Sequence, residues 1–358
     1  MADSLMQAYV LHAVGDMRFH QVPRPVPGPG QVLVRVAFCG ICGSDIPRVF
    51  VKGTYHFPTI IGHEFSGRVE SCGPEVTDLL PGERVVVFPL LWCGHCGPCE
   101  QGKYVQCQDY DYLGSRSDGA LAEFVVAPRR NLVRVPEGVS LAEAAMTEPA
   151  AVALHALRRA GGCGVGQSVA IFGAGPIGLM VAQWARALGA APILLFDIVP
   201  EKLELAHRLG FKFAFDSRSS DPVQTIQSIT GREGAHLCIE AAGVPQTFSL
   251  AAVAAMRGGR VVILGNPAGD ALLKASLISQ LMRREVTLFG TWNSDYSASG
   301  NDDDWGAVLN GMATRTVNFE PLISHRLPLE RAFDALLMMK EQREFFSKVL
   351  IWVDANAQ

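Results

Sequence analysis

The chain has 358 residues, of which 49% are hydrophobic and 18% charged, and its net charge is -4. This length suits two domains that each bury a core, and the composition excludes an intrinsically disordered chain. No basic stripe suits a nucleic acid, and no apolar run approaches the roughly 20 residues of a membrane helix. Residues 1–6 have neither a basic nor a long apolar segment, so we expect a cytoplasmic protein that binds neither nucleic acid nor membrane.

The first part of the chain predicts a β-rich domain. Short segments of partly alternating apolar residues predict strands, and segments rich in Pro and Gly separate them. The predicted strands are residues 7–20, 31–38, 65–70, 84–88 and 122–126. A helical pattern follows at residues 141–160, and strands and helices alternate after it. We therefore place a domain boundary near residues 155–165.

Two short motifs in this region contain residue types that bind zinc. Cys42 lies in Cys39-Gly40-Ile41-Cys42-Gly43-Ser44-Asp45, and His63-Glu64 follows 21 positions later. A thiolate, an imidazole and a carboxylate can bind a zinc ion while one coordination position stays open for substrate. A lone Cys or His is more often an ordinary packed residue, so these motifs alone leave a metal site and a packed core both open.

Four more cysteines form a second cluster, at spacings of three, three and eight residues. They are Cys93, Cys96, Cys99 and Cys107. Four thiolates can surround a tetrahedral zinc ion completely, so such a zinc would stabilise its loop and leave no position for substrate. Metal binding is favoured over disulfides because the cysteines cluster in a large chain. Redox-active or buried thiols and an iron–sulfur cluster are the alternatives.

The second half of the chain predicts a dinucleotide-binding domain. An apolar strand at residues 169–172 leads into Gly173-Ala174-Gly175-Pro176-Ile177-Gly178 and then into an apolar helix at residues 179–188. The three glycines allow a tight turn, a close approach of the backbone to a pyrophosphate, and helix–strand packing, while the helix N-terminus favours the phosphates. Alternating strands and helices through residue 289 predict a doubly wound parallel sheet.

Asp197 predicts which dinucleotide binds. It follows the predicted strand at residues 192–196 and lies 19 residues after Gly178. A carboxylate at this point accepts hydrogen bonds from the adenosine ribose and repels a 2′-phosphate, so we expect NAD in preference to NADP. Lys202 could lie along the same ribose, although a helix-surface charge is the more common role. Leu264-Gly265, after a later predicted strand, completes the expected cofactor-binding residues.

In chain order, these motifs resemble the zinc-dependent medium-chain alcohol and polyol dehydrogenases. The resemblance is carried by Cys42-Gly43-Ser44-Asp45, Gly62-His63-Glu64, the four-cysteine cluster, Glu148-Pro149 and the glycine motif. The resemblance covers nearly the whole chain. Within the family, the chain is most similar to the polyol branch, of galactitol 1-phosphate type, and this similarity is carried by residues 42–50, 114–119 and 241–247. It implies an α/β fold in which a GroES-like, β-rich catalytic domain is discontinuous, at residues 1–157 and 297–358, and a Rossmann NAD-binding domain spans residues 158–296.

The resemblance also implies two zinc ions per chain and a role for each catalytic ligand. Cys42 and His63 would bind the catalytic zinc, with Glu148 as the third ligand and Glu64 as an intermittent ligand. Asp45 would orient the imidazole of His63. The four cysteines would bind the structural zinc.

The implied reaction is oxidation of a secondary hydroxyl of a sugar alcohol or sugar-alcohol phosphate to a ketone. Zinc would polarise the hydroxyl and lower its pKa, and hydride would pass to NAD. Ser44 has the hydroxyl that a proton relay needs, and a turn-stabilising serine is its alternative role. The family also implies a homodimer or homotetramer, with strand 286–289 as the candidate pairing edge.

Substrate specificity is left open by the sequence. Arg48, Lys52 and Arg116 are candidate phosphate ligands because a guanidinium matches phosphate geometry, although each one taken alone is more often a surface charge. Trp292 and Asn293, after the last predicted strand of the cofactor domain, are candidates to contact substrate. A free polyol of the sorbitol, xylitol, altritol or arabitol type, or a small secondary alcohol or diol, is the alternative substrate. A quinone reductase-like enzyme without catalytic zinc and a non-catalytic, zinc-stabilised NAD-binding protein are the alternative classes.

Overall fold

The computed structural model describes residues 4–297 and 303–354, so residues 1–3, 298–302 and 355–358 of the predicted domains lie outside the described part. The strands are β1 (Leu5–Ala13), β2 (Asp16–Pro23), β3 (Gln31–Ile41), β4 (Glu64–Cys72), β5 (Arg84–Val87), β6 (Leu90–Leu91), β7 (Asp111–Tyr112), β8 (Phe124–Pro128), β9 (Leu132–Arg134), β10 (Val169–Phe172), β11 (Ile193–Asp197), β12 (Phe213–Asp216), β13 (Ala235–Glu240), β14 (Ala255–Ile263), β15 (Thr287–Gly290), β16 (Ile323–Pro328) and β17 (Lys348–Trp352). The helices are α1 (Asp45–Pro47), α2 (Gly97–Glu100), α3 (Leu141–Ala144), α4 (Thr147–Arg159), α5 (Pro176–Ala187), α6 (Pro200–Arg208), α7 (Pro222–Thr230), α8 (Pro245–Ala254), α9 (Ala275–Arg284), α10 (Asp304–Ala313) and α11 (Ala332–Glu341). Within the described residues, none of these helices has the length and apolar character required to cross a membrane.

The chain divides into two compact units. The first, the catalytic unit, lies within residues 1–149, 295–315 and 319–358, and the second, the cofactor unit, within residues 150–294 and 316–318. The division therefore falls inside α4, earlier than the predicted boundary after residue 157.

The catalytic unit is organised by a sheet in the order β16-β17-β3-β4-β5-β9, to which β8 adds by pairing with β3. Two antiparallel pairings set the positions of the site residues, because Gly40 of β3 lies opposite Glu64 of β4 and Ile41 of β3 lies opposite Val349 of β17. The ends of three strands therefore meet just before Cys42. Buried apolar side chains such as Val34, which is 0% exposed, fill the core below them.

The cofactor unit contains a parallel sheet in the order β12-β11-β10-β13-β14-β15. This is the doubly wound α/β arrangement that the sequence predicted. Gly173 has a φ of +108°, and a Cβ there would lie 2.8 Å from the backbone nitrogen of Ala242, so the turn after β10 requires glycine. The helix α5 begins at once, with Gly175 as its N-cap and Pro176 in its first turn.

Three element predictions differ from the structure. The strand predicted at residues 7–20 is two strands, because Gly15 has a φ of +80° and closes a hairpin between β1 and β2. The helix predicted at residues 141–160 is interrupted between α3 and α4. The strand β12 was not predicted, since its four residues are too few to show a clear period.

Candidate active site

The candidate metal centre forms where the ends of β3 and β4 meet. Since Gly40 pairs with Glu64, Cys42 lies just beyond the end of β3 and His63 just before the start of β4. The ligand atoms of Cys42, His63 and Glu64 all lie within 4.8 Å of one another. The antiparallel register thus brings together three residues that the sequence predicted as metal ligands.

A turn after Cys42 holds these ligands in place. Asp45 accepts the backbone N–H of Cys42 at 3.0 Å, and its other carboxylate oxygen is 3.6 Å from Nδ1 of His63. Arg48 donates from one nitrogen to Asp45 at 2.9 Å and to the Ser44 hydroxyl at 3.0 Å. The Ser44 hydroxyl in turn donates to Sγ of Cys42 at 3.2 Å. Because Nδ1 of His63 faces Asp45, its Nε2 remains for a metal ion.

A buried lysine that the sequence analysis missed completes this centre. Lys348, the first residue of β17, forms an ion pair with Glu64 and donates to the carbonyl of Ile41 at 3.2 Å. Glu64 and Lys348 are only 1% and 4% exposed. Burial alone would lower the pKa of Lys348, but the carboxylate of Glu64 raises it overall. Gly40 leaves the space for this pair, since a Cβ there would lie 3.0 Å from Cε of Lys348.

Replacing Lys348 with Met is expected to destabilise the protein by about 3 kcal/mol, because it leaves the buried carboxylate of Glu64 without its ammonium partner. Denaturant unfolding of the wild type and the variant measures the loss. The double variant Lys348→Met with Glu64→Gln removes both charges and is expected to recover much of it. Equal stability of wild type and single variant would contradict a stabilising role for the pair.

Glu148 lies beside the cluster. Among the described residues, it does not belong to the group whose ligand atoms all lie within 4.8 Å of one another. Its carboxylate accepts a hydrogen bond from the hydroxyl of Tyr112 at 3.4 Å, and the Tyr112 ring meets the His63 ring edge-on with centroids 5.8 Å apart. Burial raises the pKa of Glu148 to about 7, with nearby His63 opposing the rise and Glu64 adding to it. The carboxylates of Glu64 and Glu148 are therefore both near the third ligand position. Tyr112, which contacts Glu148 and His63, is a second residue that the sequence did not predict.

The electrostatics of the centre fit a divalent cation. Burial raises the pKa of Cys42 to about 12, and the carboxylates of Glu64 and Asp45 add to the effect. Acidic groups outnumber the two basic side chains around them, Arg48 and Lys348. A divalent cation among these ligands would offset the surplus negative charge and stabilise the thiolate. Soft sulfur, nitrogen and one or two carboxylate oxygens are the donor set of zinc.

The structure also brings together the sulfur atoms of the second predicted cluster, the four cysteines. Sγ of Cys93 is 4.0 Å from Sγ of Cys99, and Sγ of Cys96 is 3.8 Å from Sγ of Cys107. A tetrahedral zinc with Zn–S bonds of about 2.3 Å holds its sulfur atoms about 3.8 Å apart, so these separations fit zinc and exceed any disulfide bond. Backbone N–H groups, first that of Gln108, lower the pKa of Cys96 to about 6, which favours the thiolate that a metal needs.

Aromatic side chains pack on the loop that holds these four cysteines. Trp92 stacks on Tyr104 with ring centroids 4.4 Å apart, and the Arg130 guanidinium lies 4.2 Å above the Trp92 ring. Tyr296 donates to the carbonyl of Arg130 at 2.7 Å and stacks on Phe88 at 4.3 Å. These contacts connect the returning C-terminal segment to the base of the loop.

In the cofactor unit, Asp197 ends β11 beside the glycine loop. One carboxylate oxygen accepts the N–H of Ala174 at 2.7 Å, and the other accepts the N–H groups of Ile198 and Val199 at 2.8 and 3.0 Å. Nζ of Lys202 lies 3.6 Å from the first oxygen. The structure thus brings Asp197 and Lys202 together at the carboxyl end of the sheet, where dinucleotides bind in this fold.

Glu240, at the end of β13, connects the loops around this region and was also missed from the sequence. One carboxylate oxygen accepts from the N–H groups of Ala242 and Gly243 at 2.9 and 2.8 Å and from the Thr247 hydroxyl at 2.7 Å. Its carbonyl accepts from both N–H groups of Leu264-Gly265 at 2.9 Å. A glutamate that ends an apolar strand is the signal that could have found it.

The candidate substrate residues are in different surroundings. Arg48 is engaged through one nitrogen in the metal cluster, whereas Arg116 lies between the rings of two tyrosines. Trp292 is 60% exposed, and Asn293 has a φ of +54° in the loop after β15. Arg48 and Arg116 belong to the catalytic unit, and Trp292 and Asn293 belong to the cofactor unit.

Comparison with known proteins places this arrangement in a family. Residues 28–137 match the alcohol dehydrogenase GroES-like domain, and residues 176–313 match the domain described as zinc-binding dehydrogenase. The chain is 38% identical over 296 residues to galactitol 1-phosphate 5-dehydrogenase of Escherichia coli K12, covering 83% of this chain and 85% of that protein. The chain belongs to the zinc-dependent medium-chain alcohol and polyol dehydrogenases.

Other relatives agree with this assignment and differ in specificity. Sorbitol dehydrogenase of Bacillus subtilis 168 is 29% identical over 354 residues, covering 97% of each chain. The crystal structure of the Escherichia coli galactitol-1-phosphate dehydrogenase has a TM-score of 0.89 at 35% identity, covering 97% of this chain and 100% of that one. A zinc-binding dehydrogenase from Sinorhizobium meliloti 1021 bound to NADP has the same TM-score at 30% identity, covering 98% and 99% of the chains. The protein is thus a zinc-type alcohol or polyol dehydrogenase.

Proposed function

We propose that this dehydrogenase oxidises a secondary hydroxyl of a sugar alcohol phosphate, of galactitol 1-phosphate type, to a ketone with NAD as the hydride acceptor. The observation that carries the proposal is the cluster of Cys42, His63 and Glu64 with ligand atoms within 4.8 Å. A zinc ion at this site supplies a Lewis acid that lowers the pKa of a substrate hydroxyl. The similarity to galactitol 1-phosphate 5-dehydrogenase supports the substrate class.

Each residue of the cluster has its own proposed role. Cys42 and His63 would hold the metal, and Glu64 or Glu148 would be the third protein ligand, with Lys348 pairing with Glu64. Ser44, whose hydroxyl donates to Cys42 and accepts from Arg48, would take up the substrate proton while releasing its own hydroxyl proton to water. The four cysteines, Cys93, Cys96, Cys99 and Cys107, hold a second, structural zinc ion, so we expect two zinc ions per chain.

A screen of NAD reduction tests the substrate class. The purified enzyme is assayed with galactitol 1-phosphate and other hexitol phosphates, with the corresponding free polyols, and with small secondary alcohols and diols. We expect the highest kcat/KM with a phosphorylated polyol. Oxidation of free sorbitol at equal or higher kcat/KM would favour the second candidate function, a free-polyol dehydrogenase, which the similarity to sorbitol dehydrogenase supports.

Asp197 is the proposed determinant of the preference for NAD over NADP. Replacing it with Asn keeps a side-chain oxygen for the N–H of Ala174 and removes the charge that repels a 2′-phosphate. The ratio of kcat/KM for NADP to that for NAD is expected to rise by about 30-fold, which corresponds to about 2 kcal/mol. The control Glu201→Gln removes an exposed carboxylate from the next helix and is expected to leave the ratio unchanged. A wild type that prefers NADP would contradict the proposal.

The open edge of the cofactor sheet supports a homodimer. β15 is the last strand of its sheet, and Leu288 on it is 40% exposed, as are Ile278 at 45% and Met282 at 74% on the neighbouring α9. Pairing of β15 with β15 of a second copy would cover this edge and these side chains. Light scattering is expected to show a homodimer or a homotetramer for the wild type and a smaller species for Leu288→Lys. The control Val165→Lys, at a position 91% exposed, is expected to leave the mass unchanged.

A further inference from the structure

Arg116 lies in an aromatic clamp formed by Tyr55 and Tyr110. Its Cζ is 4.2 Å from the ring centroid of Tyr55 and 4.4 Å from that of Tyr110. Rings on the guanidinium hold it by cation–π attraction and restrict its rotation. The guanidinium also donates to the hydroxyls of Tyr55 and Tyr110, so the N–H groups that are not used in this way stay available for a ligand. The clamp therefore presents a rigid fork of donors and not a mobile surface charge.

The positive charge of Arg116 has no carboxylate partner within ion-pair distance among residues 4–297 and 303–354. Other arginines of the same unit are neutralised in this way. Arg24 and Arg35 pair with Glu70 at 2.7 and 2.9 Å, and Arg129 pairs with Asp78 at 2.5 Å. Arg116 is thus a preorganised cation to which the described residues supply no counter-charge.

The clamp is connected directly to the metal cluster. The carbonyl of Tyr112 accepts the N–H of Arg116 at 2.9 Å, and the ring of Tyr112 contacts the ring of His63. On the other side, Tyr55 lies seven residues after Arg48 and donates its N–H to the carbonyl of Ser115 at 3.4 Å. The segment that carries Tyr55 therefore follows Arg48, and the segment that carries Tyr110 and Arg116 includes Tyr112. Both Arg48 and Tyr112 lie next to the candidate metal ligands.

The groove at the clamp has the mixed polarity that a sugar phosphate needs. It has a volume of about 520 Å³ and is lined by the two tyrosines of the clamp and by Leu91, Cys93, Asp109, Asp111 and Arg116, so it borders the four-cysteine loop and not the ligands Cys42, His63 and Glu64 themselves. A guanidinium pairs with phosphate through two parallel N–H···O bonds, and carboxylates accept hydrogen bonds from sugar hydroxyls.

We propose that Arg116, held between Tyr55 and Tyr110, binds the phosphate end of a phosphorylated sugar alcohol whose hydroxyl is oxidised at the metal cluster. This inference rests on the proposed function and assigns its specificity to one residue. Arg48 does not bind the phosphate in this proposal. Because one of its nitrogens donates to both Asp45 and Ser44, Arg48 is a positioning residue for the ligand turn.

The test compares galactitol 1-phosphate with galactitol in steady-state kinetics. For Arg116→Gln, the ratio of kcat/KM for the phosphorylated to the free polyol is expected to fall by about 30-fold, since a charge-assisted bidentate contact is lost. Arg116→Lys keeps the charge without the planar fork and is expected to recover only part of the ratio. The control Arg186→Gln removes an arginine that stacks on Phe211 in the cofactor unit and is expected to leave the ratio unchanged.

Two further measurements separate the clamp from a general structural effect. Tyr110→Ala is expected to lower the ratio and Tyr110→Phe to preserve most of it, because Phe keeps the ring over Arg116 and loses only the hydroxyl that also bonds to the guanidinium. Inorganic phosphate is expected to inhibit the wild type competitively against the phosphorylated polyol and to inhibit Arg116→Gln about 10-fold more weakly.

An unchanged ratio in Arg116→Gln, or equal losses with both substrates, would overturn the assignment while leaving polyol oxidation intact. Oxidation of neither substrate by the wild type, with calorimetry still showing that galactitol 1-phosphate binds through Arg116, would instead overturn the proposed function.

Discussion

Replacing Cys42 with Ser is expected to lower kcat/KM for polyol oxidation by roughly three orders of magnitude, because a neutral hydroxyl cannot replace a thiolate ligand. Cys42 is the only sulfur donor in the cluster with His63 and Glu64 among the described residues. The zinc content measured by metal analysis is expected to fall from two ions per chain to one. NAD affinity, measured by fluorescence titration, is expected to stay within about 2-fold of the wild type, since the glycine loop and Asp197 belong to the cofactor unit.

The control for this variant is Cys72→Ser. Cys72 is a half-buried cysteine of the same unit that donates only to the carbonyl of Leu79, so both zinc ions and the activity are expected to remain. A Cys42→Ser enzyme that keeps two zinc ions and near-normal turnover would remove Cys42 from the metal centre. Unchanged NAD binding without turnover on any alcohol by the wild type would support the non-catalytic alternative.

Replacing Cys99 with Ser is expected to lower the melting temperature by about 10 °C and to release the other zinc ion. Cys99 is buried, and burial raises the pKa of its thiol to about 12, so the free thiolate is unfavourable without a metal. Structural zinc contributes its binding free energy to folding, and a loss of 3 to 5 kcal/mol shifts the melting temperature of a domain this size by about 10 °C. Calorimetry and metal analysis measure both changes.

Trp92 provides a local readout for the same variant. Its ring stacks on Tyr104 within the loop, so loosening of the loop is expected to change tryptophan emission before the sheet unfolds. His95→Ala is the control, because His95 is an exposed residue of the same loop and its ring bonds only to the carbonyl of Cys93. A Cys99→Ser protein with two zinc ions and wild-type melting would show that the four thiolates do not hold a metal ion.

The fold class and family followed from local patterns, whereas parts of the candidate site did not. The glycine motif carries its own signal because each glycine meets a backbone requirement within six residues, and the four cysteines are likewise close in sequence. Lys348 carries no such signal, because a lysine that begins an apolar strand is equally typical of an exposed strand end. Its position depends on the register between β17 and β3, which sequence spacing does not specify.

Tyr112 and Glu240 were missed for a related reason. Tyr112 lies in a two-residue strand, and its contacts with His63 and Glu148 depend on how its loop returns to the cluster. Glu240 acts through backbone groups of neighbouring loops, and its place at the end of an apolar strand is the one sequence signal for this role. For Glu148 the sequence predicted a direct ligand, and the structure adds that a second carboxylate, Glu64, lies closer to Cys42 and His63. The ligand roles themselves remain predictions that metal analysis tests.

The pairing of β17 with β3 has a consequence for how the protein is made. Cys42, His63 and Glu64 leave the ribosome early, but the lysine that neutralises Glu64 belongs to the last strand of the described chain. The cofactor unit, almost all of it one continuous segment at residues 150–294, is complete before that strand is synthesised. Because domains fold as units during synthesis, we expect the cofactor unit to fold first. We expect the ion pair between Glu64 and Lys348 to form only when translation is nearly finished.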